Sequence, residues 1–317
     1  MNKIKIKEYV DNNCPICYSA NFSVLPFYSI RFDTEKKGKV SICEDCSHVF
    51  ISKRWSEDSY NQFYEEEYRN AVGFNKTSDE ELFFEDTKLR GVEVVNFVSQ
   101  YLKKDAKILE VGCGNGGILM AFKEAGFNNV QGIDPNIEET RLANSKYGID
   151  VINGPPNFEN IPNKTYDCIL IVASIDHFTK PREYLEKLKD KIKDCGYLFI
   201  DGHDVEAQMN LGTYVPKMDH PSYFSGLTIR SLLKLCGYNL IKFSRNLNYF
   251  SPLYYFQGNK KDSRVGFQVL AQINPDKDKF EIPDVSIAVS AIKNDFKRYF
   301  SYRAKVLKKL LSILTKS

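Results

Sequence analysis

The chain contains 317 residues with a formal net charge of +3, and 43% of its residues are hydrophobic. This length is sufficient for a complete α/β domain with additions at either end. The positive charge is concentrated in residues 285–317, which carry eight Lys or Arg and one acid, so residues 1–284 are slightly acidic. A dedicated nucleic-acid binder neutralises many phosphates with basic side chains. The charge distribution therefore argues against a nucleic acid as the partner.

Two features of the composition concern the compartment. The sequence has no run of 18 apolar residues, and its first eight residues lack the apolar core of a signal peptide. Single cysteines in expected strands, turns or helix ends suit a reducing compartment, where a buried thiol behaves as a small hydrophobic group. These are Cys113, Cys168, Cys195 and Cys236. We expect a cytoplasmic protein.

The first motif is a pair of Cys-x-x-Cys sequences, formed by Cys14 with Cys17 and by Cys43 with Cys46. This spacing is typical of a four-cysteine zinc site, in which each pair closes one tight turn around a tetrahedral ion. A unit of this size buries little apolar surface, and a structural zinc supplies on the order of 10 kcal/mol towards its folding. We expect a zinc ribbon over residues 1–55. His48 is an alternative to Cys46 as the fourth ligand.

The ribbon and the segment after it have recognisable elements. Strands are expected over 22–32, 39–42 and 49–51. A helix over 58–68 places three tyrosines at i, i+4 and i+8, which is one aromatic stripe. The stripe consists of Tyr60, Tyr64 and Tyr68. Such a stripe packs in a core or caps a binding cleft, and both alternatives stay open.

A lead-in to the central domain follows. Residues 71–79 are polar and contain glycine, which predicts a mobile loop or lid. Apolar residues at helical spacing predict a long helix over 80–103. Together these form a helical lead-in and lid over residues 56–105.

The central motif lies at residues 107–117, Lys-Ile-Leu-Glu-Val-Gly-Cys-Gly-Asn-Gly-Gly. It predicts a buried strand, a glycine turn and a helix opening from that turn. A second strand ends in Asp134, about 20 residues later, where a carboxylate can accept both hydroxyls of a ribose. The glycine pattern alone also fits the dinucleotide fingerprint of NAD enzymes. Glu110 distinguishes an S-adenosylmethionine site from a dinucleotide site, because a carboxylate at the strand end repels a pyrophosphate and attracts the cationic groups of S-adenosylmethionine.

The motif Glu-x-Gly-x-Gly-x-Gly followed by an acid resembles the cofactor site of class I S-adenosylmethionine-dependent methyltransferases. The resemblance covers residues 14 to about 273 and implies S-adenosylmethionine as cofactor. We expect the core domain over residues 106–275. The expected cofactor-binding residues are Glu110, Gly112, Gly114, Asn115, Gly116, Asp134, Pro135, Asn153, Gly154, Ser174, Tyr64 and Tyr68.

The rest of the core alternates between strands and helices. Helices are expected over 118–125, 137–146, 181–192 and 226–237, and strands over 107–111, 130–133, 151–152, 166–172, 196–200, 240–247 and 265–273. This alternation predicts an α/β fold, a doubly wound, mostly parallel seven-stranded sheet with helices on both faces. The last two strands are expected to form an antiparallel pair at its edge.

Two segments resemble the substrate regions of the family. Ser174-Ile-Asp-His177-Phe resembles the segment in which an acid and a histidine follow the fourth strand, and here Asp176 stands where Glu is usual. His177 is a candidate general base or substrate-orienting group, and capping the next helix is the alternative. Residues 201–225 are expected to form a long functional loop. Within it, the run His220 to Ser225, which contains Tyr223, resembles a His-x-x-Tyr/Phe-Phe-Ser pattern of zinc-ribbon methyltransferases in bacterial sugar and surface-glycan pathways.

The resemblance has a departure. The C-methylating sugar enzymes carry a further C-terminal domain, whereas this chain has only about 45 residues there. O- or N-methylation of a sugar, nucleotide-sugar or surface-glycan precursor, such as one for a capsule polysaccharide, is therefore favoured. His177, His220 and Tyr223 are the candidates for removing the acceptor proton. An RNA methyltransferase and a non-catalytic cofactor-binding scaffold are the alternatives.

The remaining segment, residues 276–317, predicts a basic amphipathic helix over 289–314. Such a helix can dock on its own domain, form an oligomer or lie on the inner face of an anionic membrane. The sequence does not choose among these.

Overall fold

The computed structural model describes residues 8–27, 30–72, 77–155, 158–210, 215–249 and 264–273, with 289–290 and 293–294. The strands are β1 Tyr9–Asp11, β2 Phe22–Val24, β3 Lys39–Cys43, β4 Val49–Trp55, β5 Ile108–Val111, β6 Val130–Asp134, β7 Val151–Asn153, β8 Tyr166–Val172, β9 Ile192–His203, β10 Ser222–Tyr223, β11 Tyr238–Tyr249 and β12 Arg264–Ile273. The helices are α1 Glu57–Gln62, α2 Tyr68–Val72, α3 Thr77–Val98, α4 Gly117–Glu124, α5 Ile137–Leu142, α6 Pro181–Lys189, α7 Val205–Asn210 and α8 Gly226–Leu235.

A seven-stranded sheet forms the centre of the molecule, in the order β11, β12, β9, β8, β5, β6, β7. The strands from β9 to β7 run parallel, and β12 and β11 add antiparallel to one edge. Most residues of the central strands β5 and β8 are buried because helices cover both faces of the sheet. The predicted fold is confirmed. The strand order reverses at β5, and ligands in such sheets bind beyond the strand ends at that reversal.

Helix α3 packs against α4 at very short range. A Cβ atom on Gly117, the first residue of α4, would lie 2.6 Å from the carbonyl oxygen of Phe84 and 2.0 Å from the hydroxyl oxygen of Thr87. Gly91 of α3 is equally constrained, because a Cβ atom there would lie 2.7 Å from the Cβ of Ala121. The lead-in helix can therefore cover the glycine turn only because these two positions carry no side chain.

A second sheet contains the cysteine-rich N-terminus, in the order β1, β4, β3, β2. Its β4 also pairs antiparallel with β10, through Ser222 with Phe50 and Tyr223 with Val49. A parallel bridge between Arg31 and Lys217 adds a second connection. The sheet expected over the first 55 residues therefore also includes a strand from residues 222–223, which belong to the expected core domain.

Several expected boundaries are wrong. The first ribbon strand is only Phe22–Val24, because Pro26 ends the extended run soon after it. Residues 71–72 and 77–79 are helical where a loop was expected, and 73–76 lie outside the described residues. Helix α3 ends at Val98 and is followed by a 3₁₀ turn, Ser99–Tyr101.

The long loop expected over 201–225 is also wrong in part. Strand β9 extends to His203, α7 follows at once, and β10 lies near the end of the segment. The strand continues because β12 pairs with it as far as His203, a partner that a single segment of sequence does not reveal. Residues 211–214 lie outside the described residues.

The described part of the C-terminal segment contacts the N-terminal sheet. Val289 is buried in the same hydrophobic cluster as Trp55. Lys293 forms an ion pair with Glu44 and donates to the Ser23 hydroxyl at 3.3 Å. Most of the amphipathic helix expected over 289–314 lies outside the described residues.

Within the ranges that the structure describes, no helix combines the length and the apolar character required to cross a membrane.

The contact between α3 and α4 can be tested by adding one methyl group. We expect Gly117→Ala to lower the free energy of unfolding by about 1 to 3 kcal/mol, because the new Cβ meets backbone atoms of α3. Gly154→Ala is the matched control: a Cβ there has no atom within 4 Å, and we expect a change below about 0.5 kcal/mol. Urea unfolding of both variants measures the difference. Equal stabilities would contradict the close packing.

Candidate active site

A cavity of about 390 Å³ opens beyond the carboxyl ends of β5, β6 and β8. The glycine turn and Asp134 form one end of it. Residues from α1 to α3 also line it, and three histidines, His177, His203 and His220, form a second group in its wall, which we treat as its other end. We call these the cofactor end and the acceptor end. The cavity therefore lies where the strand order reverses, as the fold requires of a ligand site.

The glycine turn is held in a left-handed conformation. Gly112 has φ +75°, and a Cβ there would lie 2.7 Å from the Cβ of Ser174, so a side chain is excluded both by strain and by contact. Ser174 donates from its hydroxyl to the carbonyl oxygen of Val111 at 2.8 Å. The loop after β8 thus supports the turn after β5 from the side opposite Asp134.

Asp134 closes the cofactor end. Its Oδ2 accepts from the Gly114 N–H at 2.8 Å, and its Oδ1 accepts from the Asn136 N–H at 2.8 Å. The side chain is 8% exposed. Burial raises its pKa to about 6, against the lowering by these two N–H donors. Each oxygen keeps a lone pair that can accept a ribose hydroxyl.

Two further carboxyl groups, those of Glu110 and Glu139, line this end of the cavity. Glu110 at the end of β5 is 1% exposed, and its Oε2 has no hydrogen-bond partner among the described residues. Burial raises its pKa well above the ordinary value, and the charge of Asp134 adds to that. Burial also raises the pKa of Glu139 to about 7 although Arg69 pairs with it. A bound sulfonium or ammonium favours the ionised forms of these groups, whereas a pyrophosphate opposes them. The residues therefore fit S-adenosylmethionine.

The aromatic stripe both packs and lines the cavity. A π turn, Phe63–Glu67, separates α1 from α2, and all three tyrosines face the cavity. Tyr60 is buried and donates to the carbonyl oxygen of Met218 at 2.7 Å. The rings of Tyr64 and Tyr68 lie 5.5 Å apart. The two alternatives for this stripe are thus compatible.

His177 is fixed by two oxygens. Its Nδ1 lies 2.8 Å from the main-chain oxygen of Asp219 and 2.6 Å from the hydroxyl of Tyr64, which itself donates to that same carbonyl. Because a carbonyl oxygen only accepts, Nδ1 must carry the proton. The neutral ring then has an unprotonated Nε2. Helix α6 begins after Lys180 without any side-chain cap, so His177 does not cap it.

Two residues at the acceptor end, His203 and Asp176, were not among the expected site residues. His203, at the end of β9, donates from Nδ1 to Oδ2 of Asp176 at 2.7 Å. Asp176 is 2% exposed, and its carboxylate fixes the ring tautomer. The ring of His220 lies 4.6 Å from that of His177 and 5.9 Å from that of His203. The only sequence signal for His203 was its position after the fifth parallel strand, where ligand-binding side chains of α/β sheets lie.

Arg90 is a further wall residue that the sequence analysis missed. It projects from α3, lines the cavity and forms an ion pair with the buried Asp201 of β9. Its positive charge lowers the pKa of Glu110, in opposition to burial. Arg90 therefore balances part of the negative charge at the cofactor end.

The expected site residues divide into two groups by position. Those that line the cavity are Tyr64, Tyr68, Glu110, Gly112, Gly114, Asp134, Pro135, Gly154, Ser174, His177 and His220. Asn115, Gly116, Asn153 and Tyr223 lie outside its wall. Asn153 donates to the carbonyl oxygen of Asp134 at 3.2 Å. The Tyr223 hydroxyl binds the main-chain N–H and carbonyl of Lys217, each at 2.8 Å. These two residues support wall residues from behind.

The four cysteines of the N-terminal motif converge. Their Sγ atoms all lie within 4.8 Å of one another, and the pairs Cys14–Cys46 and Cys17–Cys43 are 3.5 Å apart. A disulfide needs about 2.05 Å, whereas two thiolates about 2.3 Å from one tetrahedral zinc lie about 3.8 Å apart. The donor set therefore fits zinc. His48 is outside this group: its ring packs against Phe224, 4.9 Å away, and burial lowers its pKa to about 3.

Comparison with known proteins identifies the central domain. A family model described as a methyltransferase domain matches residues 83–242, from α3 to β11. A tRNA U34 carboxymethyltransferase from Cellvibrio japonicus is 32% identical over 107 residues, 31% of this chain and 33% of that protein. An (S)-tetrahydroprotoberberine N-methyltransferase from Eschscholzia californica is 29% identical over 144 residues, 39% of this chain and 37% of that protein. The matches thus span little more than a third of these relatives. A solved S-adenosylmethionine-dependent methyltransferase from Methanosarcina mazei is 18% identical with a TM-score of 0.48, covering 57% of this chain and 98% of that one.

Proposed function

This chain belongs to the methyltransferase-domain family, and we propose that it transfers a methyl group from S-adenosylmethionine to a small acceptor, most simply the hydroxyl or amine of a sugar-like compound. The observation that carries the proposal is that one cavity joins buried carboxylates at the cofactor end to a cluster of three histidines at the acceptor end. A cationic methyl donor and a proton acceptor are the two requirements of this reaction.

The cofactor end supplies binding. Asp134 accepts the ribose hydroxyls, and the ionised forms of Glu110 and Asp134 pair with the sulfonium and ammonium groups when the cofactor is bound. S-adenosylmethionine supplies the electrophilic methyl group when it is bound. Holding donor and acceptor in line can remove roughly 7 to 11 kcal/mol of the barrier.

The acceptor end supplies a base. We assign Nε2 of His203 as the atom that takes the proton from the methyl acceptor. The carboxylate of Asp176 holds the Nδ1 proton of the same ring and stabilises the imidazolium that forms. His177 is held by a neutral carbonyl instead. A carboxylate stabilises a developing positive charge more than a carbonyl does. His177 and His220 then form the wall on which the acceptor rests.

The size of the cavity favours a small acceptor. About 390 Å³ is in the range of pockets for small molecules. The acidic balance of residues 1–284 also opposes an RNA acceptor. The tRNA-modifying relatives favour RNA, but the match spans only a third of their length. RNA is therefore the second candidate, and a salt-dependent shift of tRNA in a gel would support it.

The four-cysteine cluster is proposed to hold a structural zinc ion. Cys14, Cys43 and Cys46 are buried and supply the thiolates, together with Cys17. Four thiolates complete the coordination of the ion, so no position remains for a substrate. When bound, zinc supplies a cross-link between the two cysteine turns of the N-terminal sheet.

Cofactor binding tests the first part of the proposal. We expect S-adenosylhomocysteine to bind with micromolar affinity in calorimetry and NADH not to bind. The ionised carboxylate of Asp134 accepts hydrogen bonds from the ribose better than the protonated acid does. The affinity for S-adenosylhomocysteine should therefore fall up to tenfold per pH unit below about pH 6, where Asp134 becomes protonated. Asp134→Asn should weaken binding about 10- to 100-fold at about pH 8 and reduce this pH dependence. Glu138→Gln, which changes a carboxylate outside the cavity wall, is the control that retains it. Binding of NADH alone would overturn the assignment.

The proton acceptor is tested by kinetics. With an acceptor in hand, we expect His203→Gln to lower kcat about 10²- to 10⁴-fold while the KM for S-adenosylmethionine stays unchanged. Asp176→Asn should also lower kcat, because the amide favours the wrong ring tautomer. His177→Gln is the comparison. If His177→Gln loses kcat while His203→Gln keeps it, His177 is the base.

The cysteine cluster is tested by metal analysis. We expect one zinc ion per chain in elemental analysis, and a loss of that zinc with a lower melting temperature in Cys17→Ser, because zinc contributes on the order of 10 kcal/mol to folding of such units. Cys195→Ser changes an exposed cysteine outside the cluster and should alter neither quantity. If the wild type keeps the same melting temperature after its zinc is removed with a chelator, the proposal is contradicted.

A further inference from the structure

Three of the four histidines in the chain meet at the acceptor end, although they come from three separate segments. Two buried aspartates accompany them, Asp176 and Asp219. The potential ligand atoms form two groups, each within 4.8 Å: Asp176, His203 and His220, and His177, Asp219 and His220. Two histidines with one carboxylate are a common donor set for divalent transition ions with open positions.

The two groups differ in their distances. In the first, His203 and Asp176 are 2.7 Å apart and form a hydrogen bond. In the second, Nε2 of His220 and Oδ2 of Asp219 are 3.8 Å apart, too far for a hydrogen bond. Two ligand atoms about 2.1 Å from one ion lie between about 3.0 Å apart at a right angle and about 4.2 Å apart on opposite sides. His220 and Asp219 therefore have the spacing of two ligands of one ion, and a ring nitrogen of His177 lies within 4.8 Å of both ligand atoms.

Asp219 provides an independent indication. The residue is 2% exposed, and its Oδ1 has no hydrogen-bond partner in the described part of the chain. A buried carboxylate without a partner is costly, and a bound cation removes that cost. Only the main-chain oxygen of this residue is used by the neighbouring Tyr64 and His177.

His177 has the orientation of a metal ligand. Metal-binding histidines almost always donate the other ring N–H to a carbonyl or carboxylate, which fixes the ring. Nδ1 of His177 donates to the carbonyl oxygen of Asp219, so the lone pair is on Nε2. His177, Asp219 and His220 all line the cavity, which leaves room for an acceptor atom on the same ion.

We propose that His177, Asp219 and His220 bind a divalent first-row transition ion that holds the acceptor hydroxyl. This inference rests on the proposed function for its role, since it specifies how that acceptor is held. The bound hydroxyl oxygen loses its proton to Nε2 of His203, forms the new C–O bond with the methyl carbon, and the C–S bond breaks with its electron pair on sulfur. No oxidation or reduction is involved.

The donor set also selects the ion. Two imidazoles and one carboxylate suit Zn²⁺, Fe²⁺, Co²⁺ or Ni²⁺, whereas Mg²⁺ prefers oxygen ligands. The site differs from the cysteine cluster in having nitrogen and oxygen ligands and unfilled positions. Co²⁺ is therefore a suitable probe, because thiolate coordination gives it a charge-transfer band that imidazole and carboxylate coordination does not.

The test is a titration with Co²⁺ of protein that carries one zinc ion per chain, bound at the cysteine cluster, followed by calorimetry and visible absorption. We expect one Co²⁺ per chain without a thiolate band. Asp219→Asn and His220→Gln should each weaken binding at least tenfold, since each removes a ligand. His203→Gln is the matched control within the same cluster and should change the affinity by less than about threefold.

Three results would overturn the proposal: no Co²⁺ binding by the wild type, binding that survives Asp219→Asn, or binding that His203→Gln abolishes. The last would place the ion in the first group. Paramagnetic NMR of the wild type provides a check that needs no variant, because the ring protons of His177 and His220 should be shifted and those of His48 should not. The titration contains neither cofactor nor acceptor, so its failure leaves the proposed function standing, and failure of cofactor binding leaves the metal site standing.

Discussion

The pairing of β10 with β4 is the interaction on which the acceptor end depends. It holds the segment that carries Asp219 and His220 against the cysteine-rich sheet. The hydroxyl of Tyr60 donates to the Met218 carbonyl, and that of Tyr64 to the Asp219 carbonyl. Each of these bonds joins parts of the chain more than 150 residues apart. A side chain placed in this way keeps its position without being part of a helix or long strand, as a preorganised site requires.

The cofactor end depends on a different balance. Burial of Glu110, Asp134 and Glu139 raises the pKa of each carboxyl group. The free protein therefore keeps these groups at an energetic cost that a cationic ligand can offset. Backbone N–H donors stabilise only Asp134 directly. Such an arrangement favours a donor that bears positive charge and disfavours a dinucleotide, although the glycine pattern suits both.

The sequence predicted the central domain well because its signals are local. Buried strands, the glycine turn and the acid after β6 lie within short windows, and each was located to within a few residues. His203 could not be identified in this way, since its role comes from a contact with Asp176, which lies 27 residues away in the chain. The length of β9 was missed for the same reason: it is set by its partner β12. The pairing of β10 with β4 is more distant still, and no periodicity in either segment indicates it.

The position of the cysteine cluster relates the N-terminus to the reaction. Cys14, Cys46 and Phe50 belong to the same hydrophobic cluster as Phe224, which follows β10 directly. The N-terminal sheet is therefore not an independent module beside the central domain, because both share a core and a strand pairing. The family match begins only at residue 83, so the cofactor end comes from the common domain. The acceptor end uses Tyr64 from the lead-in and a loop held by the N-terminal sheet. The segment that carries Asp219 and His220 lies within the matched range, but it is held in place by a sheet and a tyrosine that lie outside that range.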